Sequence, residues 1–353
     1  MRPPRALLCR LDNLGDVLLT GPAVRAVAER ADVAFLCGPS GEAAARLLPG
    51  VDDVLTFDAP WVGYDAPAVE TSALDELVEA VRAWRPDVAF VFTSSHQSPL
   101  PLALLLRIAG VPWIGATSID YPGTLLDLRR MPDPSLHEAQ QALALVEAAG
   151  FALDPCDDGA LRVRRPLPDI PVLPDGYVVV HPGASVPARL LPLRLATASI
   201  EKITSLGWPV VLTGNREEAT LTRCLARARP HVIDLAGTLD VPTLAAVLER
   251  ATVVVAGNTG PAHLAAAVGT PVVSVFAPVV PPHRWRPWGV PHVVLGDHDV
   301  PCTGCRSRRC PYAEQRCISG VTGDDVAAGV QQLARRARPS WSRATRESTE
   351  APR

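Results

Sequence analysis

Asp16 is the residue whose type and setting most suggest proton transfer. It stands in Arg10-Leu11-Asp12-Asn13-Leu14-Gly15-Asp16-Val17-Leu18, directly after a short strand-like run. Gly15 lets the backbone turn tightly, and a carboxylate at the start of the next helix can take a proton from a bound hydroxyl. The same spacing also suits a plain helix cap, so the residues alone leave both readings open. The G-x-G-x-x-G spacing of a dinucleotide fingerprint is absent here.

A second segment, Val255-Ala256-Gly257-Asn258-Thr259-Gly260-Pro261-Ala262-His263-Leu264, also marks a strand-to-helix junction. Asn258 or Thr259 can cap, Pro261 suits the first helical turn, and Gly260 lets a ligand approach the backbone amides. Such a helix start attracts phosphate, although an ordinary capped helix with His263 in the core fits equally well. The third segment, His181-Pro182-Gly183-Ala184-Ser185-Val186-Pro187-Ala188-Arg189, puts small residues and one guanidinium after another strand. Arg189 can clamp a phosphate with its planar fork, or be a surface arginine.

Cys302, Cys305, Cys310 and Cys317 fall within 16 residues. Four thiols so close could hold a structural zinc, enter redox or disulfide chemistry, or stay as reduced packing residues, and none of these makes the loop catalytic. Cys9, Cys37, Cys156 and Cys224 are scattered and read as small core residues or surface thiols. Asp297-His298-Asp299 has the spacing of a metal-diphosphate motif but reads as a solvated loop.

These segments need strands that end and helices that begin at fixed points. Short apolar runs alternate with Ala- and Leu-rich amphipathic stretches along the chain, the pattern of repeated βα units with parallel sheets. Strands are expected over Ala6–Leu11, Val33–Cys37, Val54–Phe57 and Val88–Phe92. In the second half they are expected over Tyr177–Val180, Val210–Thr213, Val232–Leu235, Thr252–Val255 and Val272–Phe276. Helices are expected over Asp16–Arg30, Gly41–Leu48, Ser72–Trp84, Leu100–Ala109 and Leu136–Ala149, with a last one near Asp324–Ala337. Prolines 155, 166, 168, 171 and 174 interrupt the pattern and mark a linker. The expected division is a first domain over 1–153, the linker over 154–176 and a second domain over 177–337. The last helix is expected to be able to pack back on the first domain, and 338–353 reads as a disordered tail.

With 353 residues, two cores are the ordinary arrangement, and 48% apolar with 5% aromatic residues suits Ala, Val and Leu interiors. A net charge of −3 gives no footprint for nucleic acid. No apolar run reaches the ~18 residues of a membrane span and the start does not read as a signal peptide, so a cytoplasmic protein is expected.

Taken together, Leu14-Gly15-Asp16-Val17, His181-Pro182-Gly183-Ala184-Ser185 and Thr259-Gly260-Pro261-Ala262-His263-Leu264-Ala265-Ala266-Ala267, followed by Gly269-Thr270-Pro271, resemble glycosyltransferase family 9, the bacterial heptosyltransferases. The resemblance covers roughly residues 5 to 335. It implies an α/β GT-B fold of two Rossmann-like doubly wound domains facing an interdomain cleft. It further implies an inverting, metal-independent transferase that needs no cofactor and moves a sugar, heptose first among them, from an ADP-sugar donor. The acceptor would be a hydroxyl of a cell-envelope glycan or of a small molecule, as in lipopolysaccharide biosynthesis. By the resemblance Asp16 is the general base, with Asn13 and Gly15 on the acceptor side. Ser185, Arg189, Glu218, Leu239, Asn258, Thr259, Gly260 and His263 would then hold the donor nucleotide and its phosphates.

Many members carry Asp where this chain has Asn258 and Lys where it has Arg189, and both replacements preserve hydrogen bonding. The expected partners are the donor and the acceptor, without nucleic acid and with at most a peripheral place at the inner face of the membrane. The chain is expected to be a monomer. Two other readings stay open: a nucleotide-sugar epimerase of the same fold, which would turn over donor without acceptor, and a non-catalytic nucleotide-sugar-binding protein.

Overall fold

Valine-rich runs form the centre of two parallel sheets, because only a strand covered on both faces tolerates continuous apolar sequence. The structure is a computed structural model that describes residues 3–63, 66–94 and 97–337. The chain divides into two compact units: unit 1 runs to Leu167 and includes His283–Gly289, and unit 2 holds Pro168–Pro282 and the described residues from Val290. The tail expected to be disordered, 338–353, lies outside the described residues.

Unit 1 is built from β1 (Arg5–Arg10), α1 (Leu14–Leu19), α2 (Gly21–Ala28), β2 (Asp32–Cys37), α3 (Glu42–Leu47) and β3 (Asp53–Thr56), then α4 (Thr71–Trp84), β4 (Val88–Val91), α5 (Leu100–Ile108), β5 (Ile114–Thr117), β6 (Leu128–Arg130) and α6 (Glu138–Glu147). Unit 2 holds β7 (Val178–His181), α7 (Leu193–Ser205), β8 (Val210–Leu212), α8 (Ala219–Ala226), β9 (Val232–Asp234), α9 (Val241–Arg250), β10 (Val253–Gly257), α10 (Gly260–Ala267) and β11 (Val272–Val275). Next along the chain come the turn α11 (Pro282–Trp285), then β12 (His292–Leu295), α12 (Arg316–Ser319) and α13 (Gly323–Ala337). α13 packs on α7 and on β10, β11 and β12, whereas the residues from the second half that group with unit 1 are His283–Gly289.

The sheets run β3-β2-β1-β4-β5-β6 and β12-β11-β10-β7-β8-β9, parallel throughout. Each is therefore the same doubly wound order read from opposite edges. The winding reverses beside the first strand of each unit, between β1 and β4 and between β7 and β10. In open α/β sheets, ligands bind at the carboxyl ends of the strands beside such a reversal.

Both cores are made as the composition requires. Leu7, Cys9, Ala34, Leu36, Ala89 and Ile114 are buried in unit 1, and Val178, Val180, Val210, Val253, Val255 and Val273 in unit 2. A valine fully removed from water contributes about 1.5 kcal/mol or more, so the sheet centres supply much of the stabilisation.

The structure departs from the expected elements in four places. The helix expected over Asp16–Arg30 is two helices, parted at Thr20. Pro22 has no N–H to give to Leu18, and Thr20 instead turns its amide and its Oγ1 to the Val17 carbonyl, at 3.0 Å and 2.7 Å. β5, β6 and β12 lie in stretches not read as strands. They are three or four residues long and stand near prolines, and they exist because a parallel neighbour supplies their hydrogen bonds.

Candidate active site

At the end of β1, Arg10 turns its guanidinium under the start of α1. Its Nε lies 2.6 Å from Oδ2 of Asp12, and its Nη2 donates to Oδ1 of Asp16 at 3.1 Å and to Ser94 Oγ at 2.9 Å. Nη1 faces Oε2 of Glu138 at 3.7 Å. Arg10 keeps only 4% of its side-chain surface in contact with solvent, against 22% for Asp16. A buried guanidinium is costly unless paired. Burial alone would lower its pKa, but Asp12, then Asp16 and Glu138, outweigh this and hold the group firmly protonated.

Glu138 comes from α6, whose start is fixed by a capping box: His137 Nδ1 accepts from the Ala139 amide at 3.2 Å, and Gln140 Oε1 accepts from the His137 amide at 3.1 Å. The Glu138 carboxylate also pairs with Arg284. Burial pushes its carboxyl above the usual range, against the pull of Arg10 and Arg284, and Asp16 adds to the rise. Around this cluster Arg10, Ser94, Gln97, Ser118, Glu138 and Arg284 line a pocket, which Thr93, Thr117 and Gln141 also border. Phe92, Ile119, Pro132 and Ala142 complete its walls, so hydroxyl and amide groups stand there beside apolar surface. Asn13 is the N-cap residue of α1, and its Oδ1 accepts from Ser40 Oγ at 3.2 Å; Gly15 is buried one residue before Asp16.

In unit 2 the corresponding strand ends are those of β7 and β10. His181 closes β7, buried, with Nδ1 3.0 Å from Thr213 Oγ1. Burial lowers its pKa to about 4, so the ring is neutral at physiological pH. Its Nε2 stands 3.8 Å from Oε2 of Glu218, a polar contact and not an ion pair. Glu218 is held by a reciprocal turn: Oε2 accepts from the Asn215 amide at 2.8 Å, and its own amide donates to Asn215 Oδ1 at 2.9 Å. Burial raises the Glu218 carboxyl pKa, the Asn215 amide opposes this, and Glu217 adds to it. A Cβ at Gly183 would lie 1.9 Å from Glu218 Oε1, so the glycine leaves room for this carboxylate in its present position.

Gly257 has the same use on β10. A Cβ there would come within 2.3 Å of the Arg189 carbonyl oxygen, so the backbone of the Pro187–Arg189 turn rests directly on the end of β10. Asn258 follows, 4% exposed, and neither its Oδ1 nor its Nδ2 finds a hydrogen-bond partner among the described residues. Thr259 is the N-cap residue of α10 in extended conformation, and its hydroxyl does not cap the helix. Gly260 opens α10, and His263 is buried within it. Buried polar groups left unpaired cost free energy that a hydrogen-bond partner would recover.

The predicted donor residues are not all gathered at the winding reversal. Arg189, Asn258, Thr259 and Gly260 stand there, with Ser185 exposed on the loop after β7. Glu218 follows β8, and Leu239 follows β9, the edge strand two positions from β7. His181, Glu138 and Arg284 were not singled out from sequence. His181 was quoted only as the first residue of its motif, after the strand expected over Tyr177–Val180, while Glu138 and Arg284 carry no local signal and become visible only when α6 and α11 are packed.

The metal readings find no support in the geometry. Among the described residues no group of three or more His, Cys, Asp or Glu side chains is arranged to hold a metal ion. Cys302 and Cys305 are exposed, Cys310 is half-buried and Cys317 buried, all as free thiols. Asp297 is exposed and accepts the Asp299 amide at 3.0 Å. Trp288 stacks on His137, ring centroids 4.5 Å apart, and donates to the Gly159 carbonyl at 2.9 Å.

Residues 116–315 match the model of glycosyltransferase family 9 (heptosyltransferase). The chain belongs to glycosyltransferase family 9. Lipopolysaccharide heptosyltransferase 3 of Escherichia coli is 31% identical over 179 residues, 49% of this chain and 51% of that protein. Lipopolysaccharide heptosyltransferase 1 of Pseudomonas aeruginosa is 26% identical over 339 residues, 87% of this chain and 88% of that protein. The match thus spans about half the length of the first relative and most of the second. The solved structure of E. coli heptosyltransferase WaaC with ADP-2-deoxy-2-fluoro heptose superimposes with a TM-score of 0.70 at 17% identity, covering 93% of this chain and 99% of that one. Family 9 membership agrees with the resemblance carried by the three motifs, and the two doubly wound sheets are those of the GT-B fold. No helix among the described residues of this family 9 chain is long and apolar enough to cross a membrane.

Proposed function

We propose that this family 9 chain is an inverting, metal-independent glycosyltransferase that moves heptose from ADP-heptose to a hydroxyl of a cell-envelope glycan. The observation that carries the reading is Asp16: a carboxylate at the winding reversal of unit 1, held through one oxygen by a buried arginine and still 22% exposed. Such a group is oriented but reachable, as a general base must be.

In the reaction the acceptor oxygen bonds to the anomeric carbon as the bond from that carbon to the ADP oxygen breaks. The acceptor proton passes to Asp16, and ADP leaves with the electron pair. One displacement inverts the anomeric centre. Unit 2 serves the leaving group: the start of α10 at Thr259 and Gly260, with Arg189 and Ser185, offers dipole, charge and donors for a diphosphate. Asn258, buried with both polar atoms unpaired, fits a site completed by a ligand. A guanidinium and a helix start can neutralise the diphosphate, which supports transfer without a metal. The likeness to a heptosyltransferase solved with ADP-2-deoxy-2-fluoro heptose favours ADP-heptose as donor. In this reading the protein works as a cytoplasmic monomer near the inner face of the membrane.

The test is ADP release from ADP-heptose with and without a glycan acceptor, in the presence of EDTA, with the product anomer read by NMR. Acceptor-dependent release of ADP and an inverted product support the reading. ADP binding with no turnover on any acceptor contradicts it, as does altered donor formed without acceptor.

A further inference from the structure

The assigned base is not held by a simple pair. Arg10 uses all three of its nitrogens, toward Asp12, toward Asp16 with Ser94, and toward Glu138. Glu138 in turn lies between two guanidinium groups, those of Arg10 and Arg284, with 3% of its side chain exposed. A guanidinium is planar and rigid, so the ion pairs of Nε with Asp12 at 2.6 Å and of Nη1 with Glu138 at 3.7 Å bear on the direction in which Nη2 meets Asp16. Burial makes these charges act on one another more strongly than they would in water.

We infer that Glu138 and Arg284 are positioning residues for the Asp16 carboxylate, acting through Arg10. The inference rests on Asp16 being the base of the proposed transfer. The charged groups facing the cluster are Arg10 and Asp12 from β1 and its loop, Asp16 from α1, Glu138 from α6 and Arg284 from α11. Arg130 on β6 is turned to Gln141 Oε1 at 2.7 Å, one turn along α6.

The two outer residues bear on the base with opposite sign. Without the Glu138 charge, Arg10 acts on Asp12 and Asp16 alone, and Asp16 becomes a poorer proton acceptor. Without the Arg284 charge, Glu138 turns wholly to Arg10, draws it away from Asp16, and the base becomes a better one. A loss of folding would move both variants alike.

The experiment compares full-length wild type, Glu138→Gln and Arg284→Gln by the pH profile of kcat/KM for ADP release. The acidic limb is expected at lower pH in Glu138→Gln and at higher pH in Arg284→Gln. Glu138→Gln should also lose about tenfold in kcat at the plateau, with the ADP-heptose KM within about twofold. Because Arg284→Gln leaves a buried carboxylate less compensated, Arg284→Lys supplies a second variant; it keeps the charge without the fork and should leave the limb near the wild-type position. A readout without turnover is the arginine side-chain 15N spectrum: the Nη1 signal of Arg10, which faces Glu138, should shift in Glu138→Gln and shift less in Arg284→Gln. Limbs that move together or not at all, or an Arg10 spectrum unchanged in Glu138→Gln, overturn the inference. Absence of turnover in the wild type would instead defeat the transferase reading, and the Arg10 spectrum would still decide the positioning role.

Discussion

Oδ1 of Asp16 accepts a hydrogen bond from Nη2 of Arg10 at 3.1 Å, which ties the first turn of α1 to the last residue of β1. The pair fixes one oxygen of the carboxylate while the side chain stays partly open to solvent. Proton transfer needs this combination, since an unheld carboxylate would sample many directions and a fully buried one would meet no acceptor.

Gly257→Ala should damage unit 2 out of proportion to one methyl group. The new Cβ would stand 2.3 Å from the Arg189 carbonyl, a backbone atom that cannot swing aside. The Pro187–Arg189 turn must move, and the expected cost is about 2 kcal/mol of stability together with a tenfold or greater loss in ADP affinity. Urea unfolding and calorimetric ADP titration check the two effects.

Asn258→Leu should separate stability from binding. Both polar atoms of Asn258 are buried without hydrogen-bond partners among the described residues, so an apolar side chain of similar size removes a desolvation cost. The melting temperature of the empty protein is expected to hold or rise, while ADP binding weakens by about tenfold, roughly 1.4 kcal/mol. Equal loss of both would show that Asn258 serves the fold and not a ligand.

His181 should make unit 2 sensitive to mild acid. Its pKa falls from 6.5 to about 4 on folding because burial opposes the charged ring. Between these values the unfolded chain binds more protons than the folded one, so stability is complete above pH 6.5 and falls as the pH drops toward 4. The expected loss is about 2 kcal/mol at pH 5 relative to pH 7.5. Chemical unfolding at the two pH values, for wild type and His181→Gln, should show this loss reduced in the variant.

Arg25→Ala should loosen the start of the linker from unit 1. Arg25 Nε and Nη2 donate to both Asp157 oxygens at 2.6 Å and 2.9 Å, and each partner is only 10% exposed. Removing the cation leaves a nearly buried carboxylate with only Arg162 at 3.6 Å and the Gly159 amide at 2.9 Å, at an expected cost of about 2 kcal/mol. A thermal melt of the variant, with limited proteolysis between residues 153 and 167, reads the effect.

The sequence was most legible where chemistry and local structure coincide. The junction at Gly257-Asn258-Thr259-Gly260 stands between β10 and α10 with Thr259 as the N-cap residue, whereas Gly15 and Asp16 lie inside the first turn of α1, whose N-cap residue is Asn13 and not Asp16. Central strands such as Val253–Gly257 were readable because buried parallel strands show as continuous apolar runs. β6 and β12 were not, since three or four residues at a sheet edge owe their form to a neighbour and not to their own pattern. The cluster around Asp16 was hidden for a similar reason. Glu138 and Arg284 are 146 positions apart, and nothing local in either segment announces the partner.

The central claim is that Asp16 is the base of a sugar transfer from ADP-heptose, and Asp16→Asn tests it most directly. The amide keeps the shape of the side chain and can still accept from Arg10, but it cannot take up a proton. Turnover of ADP-heptose with acceptor is expected to fall by at least about a hundredfold while calorimetric ADP affinity stays within about twofold of wild type. Turnover retained near the wild-type rate would contradict the account.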